Sequence, residues 1–367
     1  MLQGIILRFA STHLARYLSR YGSRAGHLSR GVLPLLFLLA CIPAFSQAVP
    51  AEPDPLARIR AQAPAPACSE AEPTLCAEAA PKIIANATGS DSTIQKNLSI
   101  LGSGEGGHAM GAPPPQSVVD DVRVTDWAVA AFRAAGLDTH TEPASPSAHG
   151  LEDVVAEIRG RENPNEVVIL AAAIDPSAID NSLEAAIDAT VLTEAARDIA
   201  ATGLVPRRTI RFVLFVGGAA NVCGASDYVV AHAGELDRTI AVIIVAQGAG
   251  RGTRYLLNAR HDIESQVREA LKPLDELGLA PDSFDDAAGA CATDFSLQGV
   301  PTLVANAEEA GTAAASATLG QMDLPELNRH AAIAGVTAFD VSEDVAPLGP
   351  RLSPAQVKAL MKPAGPQ

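Results

Sequence analysis

Aromatic residues make up only 4% of the 367 positions, and charged residues only 19%. The first shortage argues against a stacking platform for single-stranded nucleic acid, which needs successive aromatic faces. The second, beside 48% hydrophobic residues, excludes a disordered chain and leaves enough apolar mass for one large core, or one core plus a small appendage. No HExxH and no GxSxG occurs, so neither a helical zinc dyad nor a strained serine elbow is signalled. No segment repeats at a fixed period, which removes solenoids and propellers. The longest apolar run, Gly31–Phe45, is broken by Pro34 and Pro43. It falls short of the about 20 residues a spanning helix needs.

What is present begins with charge. The formal net charge is −15, and residues 1–48 carry five Arg (Arg8, Arg16, Arg20, Arg24, Arg30) with no Asp, Glu or Lys. A basic leader, an apolar run and the small-x-small ending Ser46-Gln47-Ala48 form the pattern of a secretory signal cleaved after Ala48. Loss of its five positive charges leaves −20, a field that repels phosphate backbones and anionic membrane surfaces. Cys41 sits in a loose lipoprotein-like box, but Leu39 is bulky for that pattern. Export to the periplasm or medium permits disulfides. Cys68 and Cys76 are spaced to close a small loop, while Cys223 and Cys291 fall in the folded region.

The expected organisation is a signal peptide at 1–48, a Pro/Ala/Glu-rich linker at 49–81, an α/β domain at 82–345 and a tail at 346–367. Val118, Val122, Trp127, Val129, Phe132 and Leu137 recur at helical spacing, with Gly136 as a stop. The runs Val154–Ile158 and Val167–Leu170 flank the turn-forming Gly160–Asn165 and predict a hairpin. Beyond them the chain alternates between helical stretches and the continuous apolar runs Ile210–Val216, Ile240–Val245 and Thr302–Ala305. That alternation predicts a three-layer sandwich, a mixed and mainly parallel sheet covered by helices on both faces. Ligands of such sheets bind beyond the carboxyl ends of the strands, so chemistry is sought after Leu170, Phe215 and Val245.

Several segments there are familiar. Val167–Asp175 (VVILAAAID), Glu194-Ala195-Ala196-Arg197, Pro206–Phe215 (PRRTIRFVLF), Gly299-Val300-Pro301 and Leu324–Ala332 (LPELNRHAA) resemble family 28 of the metallopeptidases, the zinc aminopeptidase and plasma glutamate carboxypeptidase relatives. The similarity runs from about Lys96 to Asp340 in the family's order. It implies a zinc-exopeptidase-like fold and two zinc ions about 3.5–4 Å apart that activate a water. The implied ligands are His, Asp, Glu, Asp and His, with a neighbouring Glu as general base.

At those positions this chain departs from the family. The His of the family's His-x-Asp falls on Ala173, and only the orienting Asp175 remains. The bridging carboxylate falls at Glu184 or Ala185, with Asp180 nearby, and the family's small-residue turn GAGV becomes Ala186-Ile187-Asp188-Ala189. The consecutive Glu base and ligand become Gly218 and Ala219, the next Asp becomes Ala246, and the last His falls near Ala313. Ala and Gly offer zinc no lone pair, so the resemblance implies a scaffold with base and metal ligands lost. The expected protein is then a pseudo-peptidase without cofactor, whose cleft holds peptides or a partner protein. Two alternatives stand beside it. One is an active exopeptidase whose two zinc ions sit in a site rebuilt from Asp175, Asp180, Glu184 and Asp294. The other is a vestigial structural domain, since a fold alone does not fix function.

The remaining motifs read as ordinary structure. Gly102–Gly107 contains GxGxxG, but Pro113–Pro115 soon follows where a phosphate-binding helix would start, so it reads as a loop. Asp285-Asp286 and Glu308-Glu309 read as solvated acidic pairs, and His232 and His330 as packing or surface histidines.

Overall fold

The computed structural model describes residues 73–102, 118–144, 152–174, 182–216, 225–277, 279, 284–285, 291–307 and 322–360. Helices α1 (Pro73–Thr88), α2 (Asp91–Gly102) and α3 (Val118–Ala134) precede strands β1 (Asp138–Pro143), β2 (Glu152–Ile158) and β3 (Asn163–Ile174). Then come α4 (Ser182–Ala201), β4 (Arg208–Val216), α5 (Ala225–Ala231), β5 (Thr239–Ala246), β6 (Arg254–Leu256), α6 (Glu264–Ala270), β7 (Phe284–Asp285) and α7 (Ala292–Leu297). Strand β8 (Thr302–Asn306) and helices α8 (Leu324–Glu343) and α9 (Pro354–Leu360) complete the described chain.

The eight strands form one sheet in the order β1-β2-β4-β3-β5-β8-β6-β7. Its centre, β4-β3-β5-β8, is parallel, while β1, β2 and β6 run antiparallel to their neighbours toward β4 or β8. The central strands are apolar along their whole length because both faces are covered. Val168, Leu170, Ala172, Phe212, Leu214, Ile243 and Val245 join the core beneath α1, α2, α3, α4 and α8. Their alternates Ile169, Ala171, Val213, Phe215, Val242 and Ile244 join a second core with Tyr228 and Val229 of α5 and Phe295 of α7. This period-two division makes the three layers expected from the sequence.

The hairpin expectation is corrected. β2 does not pair with β3; it lies between β1 and β4, and β3 lies between β4 and β5. The connection passes the start of β4 instead of turning back. Gly160 donates its N–H to Thr209 Oγ1 at 3.1 Å, and a Cβ at Gly160 would stand 2.5 Å from the Arg208 carbonyl carbon. Only glycine passes that close to backbone. Residues 261–277 are divided into a 3-10 turn, α6 and a second 3-10 stretch that contains Pro273.

Both domain limits also move outward. The segment expected as linker to residue 81 is helical from Pro73, and Ala79, Ala80 and Ile83 are buried in the first core. α1 packs on α8 and α4, where Gly335 permits close approach: a Cβ there would meet Ile83 Cγ2 at 3.0 Å. Beyond 345, Leu348, Leu352 and Val357 are buried, and Leu352 donates its N–H to Gly299 O at 2.8 Å. The residues expected as a tail are therefore folded onto the domain as far as Leu360. Composition misled at the amino-terminal end because an Ala-rich helix buries small side chains without a strong apolar period, and at the other end because Leu348 and Leu352 are buried from irregular chain that has no period.

Candidate functional site

The carboxyl ends of β3, β4, β5 and β8 come together at one end of the sheet. Ile174 is in register with Val216, and Ala246 with Asn306, whose Nδ2 donates to Ala246 O at 3.1 Å. Ala173 and Ala246, two of the positions where the family resemblance implies ligands, both pack as methyl groups against the second core. Glu184 stands in the first turn of α4 and reaches the turn after β5: a Cβ on Gly248 would meet Glu184 Cγ at 3.2 Å. The structure therefore brings Glu184 and Ala246 to the same corner of the strand ends. Asp175, Asp180, Gly218, Ala219 and Ala313 lie outside the described residues. So do Glu308, Glu309 and Asp286.

A carboxylate that sequence reasoning did not single out for the site occupies that corner. Asp188, one helical turn beyond Glu184, accepts the N–H of Gln247 at 3.1 Å and of Gly248 at 2.8 Å on one oxygen, Oδ1. Burial pushes its pKa up to about 7 against the lowering effect of those two donors, and the nearby Glu184 adds to the rise. The turn is anchored further: Gln247 Nε2 donates to Thr253 Oγ1 at 2.7 Å, and Gly252 N to Glu326 Oε1 at 2.8 Å. The signal for Asp188 was the departure at Ala186–Ala189, where a charge replaces one of the family's small residues.

At the end of β4 a second buried carboxylate caps the last N–H of the strand. Asp153, 1% exposed at the start of β2, accepts the Val216 N–H at 2.9 Å. Burial raises its pKa to about 7; the Val216 N–H opposes this, while Glu142 and Asp227 reinforce it. Asp294, in the first turn of α7, is also raised by burial and then by Asp227. Asp294 thus titrates beside Asp227 of α5, and Asp188 beside Glu184. Asp153 gave no signal in the sequence beyond its place before Val154-Val155.

Asp188 and Asp153 can accept or release a proton near neutrality. They do not fit a two-zinc centre: methyls stand at Ala173 and Ala246, and Asp188 Oδ1 is committed to backbone donors. Among the described residues no group of three or more His, Cys, Asp or Glu is placed to hold a metal ion. The histidines are accounted for separately. His330 is wholly buried in α8, with Nε2 3.3 Å from Glu326 Oε1, and His232 pairs with Glu142 at 2.7 Å. Cys291, which precedes α7, is disulfide-bonded.

A parallel core flanked by antiparallel strands and walled by helices defines a three-layer α/β domain of the aminopeptidase type. Residues 153–335 match the model of peptidase family M28, and the domain belongs to that family. Among solved structures, the LapA aminopeptidase of Legionella pneumophila superposes with a TM-score of 0.56 at 13% identity, over 78% of this chain and 78% of that one. The glutaminyl cyclase of Macrostomum lignano gives 0.51 at 14% identity, over 77% and 96%. The peptidase M28 precursor of Shewanella amazonensis is 23% identical with a TM-score of 0.47, and the chain spans 47% of its length and matches over 55% of its own. No curated protein matches the chain.

Proposed function

We propose that this is an exported pseudo-peptidase on the M28 scaffold, whose cleft at the strand ends binds a peptide or a partner protein without zinc-dependent hydrolysis. The observation that carries the reading is the corner after β5. There Ala246 offers only a methyl group, and the two N–H groups behind it are already taken by Asp188. A fold shared by aminopeptidases and glutaminyl cyclases leaves the chemistry to the side chains of the site. Here Ala173, Gly218, Ala219, Ala246 and Ala313 supply neither ligand nor base.

Export is supported by the basic leader and by the disulfide at Cys291, a bond that persists in oxidising compartments. Among the described residues no helix is long and apolar enough to cross a membrane. Amino-terminal sequencing of the secreted protein is expected to begin at Val49, and a chain retaining Met1 would contradict export.

Elemental analysis of the purified protein tests the central claim. It is expected to hold zinc well below one ion per chain and to release no amino acid from model peptides after zinc is added. Stoichiometric zinc, with chelator-sensitive turnover abolished by Glu184→Ala, would instead establish an exopeptidase rebuilt on the remaining carboxylates.

A further inference from the structure

The turn after β5 has the form of an anion site. The N–H groups of the consecutive residues Gln247 and Gly248 converge on a single oxygen, at 3.1 and 2.8 Å. Gly248 is left-handed, with φ +53°, and Gly250 N closes the turn onto Gln247 O at 3.1 Å. Successive N–H groups turned inward around a left-handed residue form a concavity with partial positive charge, suited to a carboxylate. The concavity already holds one, that of Asp188. Asp188 keeps part of its surface exposed although its carboxyl is desolvated, whereas Gln247 and Gly248 are buried.

We propose that the Gln247–Gly248 turn is a carboxylate-binding nest of the cleft, and that Asp188 occupies it in cis and closes it to outside carboxylates such as the C-terminal group of a peptide. Reading the cleft as a peptide site supplies the class of ligand, and the proposal rests on that reading to this extent. The nest itself stands on the geometry. Its location is specific, since it begins one residue after Ala246, at the strand-end corner shared with Glu184. A mere staple between α4 and β5 would use the same two hydrogen bonds. The difference lies in whether the emptied nest accepts a carboxylate that is not part of the chain.

The experiment follows the backbone amide resonances of Gln247 and Gly248 in the full mature protein as wild type, Asp188→Ala and Asp188→Asn. Each is titrated with sodium acetate and with trialanine bearing a free or an amidated C-terminus, with sodium chloride at equal ionic strength as control. In Asp188→Ala, acetate and free-acid trialanine are expected to shift both amides saturably, while amidated trialanine and chloride do not. Wild type and Asp188→Asn, whose side-chain oxygen still accepts the N–H groups, should respond at least about tenfold more weakly, a difference of about 1.4 kcal/mol. A folded Asp188→Ala whose two amides ignore acetate overturns the proposal, as does a wild type that responds equally. If Asp188→Ala does not fold alone, acetate is expected to rescue its refolding; no rescue, with Asp188→Asn folded, also counts against the nest. None of these readouts depends on zinc. Metal in the wild type would overturn the pseudo-peptidase reading and leave the nest standing, and silent amides would do the reverse.

Discussion

His232 Nε2 and Glu142 Oε2 meet at 2.7 Å, joining the end of α5 to the edge strand β1. The imidazole stacks on Tyr228 with ring centroids 4.1 Å apart, and Tyr228 in turn accepts a hydrogen bond from Arg211 at 3.1 Å. The hydrogen bond from His232, opposed by burial and aided by His140, takes the Glu142 pKa down to about 2. The same bond raises His232 above its ordinary 6.5. The histidine's contribution is complete below that ordinary value and is lost as pH rises through its raised pKa. The glutamate's is complete above 4.5 and is lost as pH falls toward 2. Glu142→Gln is therefore expected to cost about 1 kcal/mol near pH 5.5, in urea denaturation at low salt, and much less at pH 9. Equal cost at both pH values would show that the ion pair is not the stabilising element.

Asp340 behaves in the opposite sense. It is 1% exposed in α8, neither carboxyl oxygen has a hydrogen-bond partner, and burial with Glu343 and Asp344 nearby pushes its pKa well above the ordinary carboxylate value. Between its ordinary and raised pKa values the folded chain holds a proton that the unfolded chain has released, so stability falls as pH rises. Asp340→Asn is expected to raise stability by about 1–3 kcal/mol at pH 8 and to change little below pH 3.5, with thermal melting as the measure.

Arg208 ties the start of β4 to the segment after α8. It is 2% exposed and donates from Nε to Glu166 Oε2 at 2.6 Å, to the Asp344 carbonyl, and to the Val345 carbonyl at 3.1 Å. Arg208→Met is expected to cost about 2–3 kcal/mol, because three acceptors lose a charged donor. Arg208→Lys should recover little of this, since an ammonium lacks the planar fork. Equilibrium unfolding of the two variants decides it.

Gly299 holds φ +78°, and a Cβ there would stand 2.1 Å from Leu352 O. Gly299→Ala should cost more than about 1 kcal/mol and release the chain around Leu352. Limited proteolysis then gains a cut near residues 345–355 that is absent in the wild type.

Disruption of the Cys291 disulfide by reductant is expected to lower stability by about 2–4 kcal/mol. Melting with and without a phosphine reductant measures it, and Cys291→Ser should melt with the reduced protein.

The sheet was legible wherever burial on both faces wrote a continuous apolar run, as in Ile210–Val216 and Ile240–Val245. Strand β1 was not: Asp138-Thr139-His140-Thr141-Glu142-Pro143 is polar because it forms an edge with little to bury. Strand order was likewise hidden, since the route of Gly160 past Thr209 is a long-range fact with no local signature. In the site, the methyls at Ala173 and Ala246 were legible because a missing donor is visible as a letter. The role of Asp188 was not, because its partners are main-chain groups about 60 residues away, and every residue but proline carries the same N–H.

The contact between α1 and α8 bears on synthesis. Ile83 and Gly335 touch across some 250 residues of intervening chain, and α8 supplies a large part of the first core. While a ribosome is still making the sheet, α1 and α4 lack the α8 helix that packs against both, and the apolar surface it covers stays open until residue 343 has emerged. Contacts so distant in sequence form late and slowly. The nascent protein is thus a client for holding chaperones over most of its elongation, and truncation before α8 should yield an aggregating fragment instead of a smaller domain.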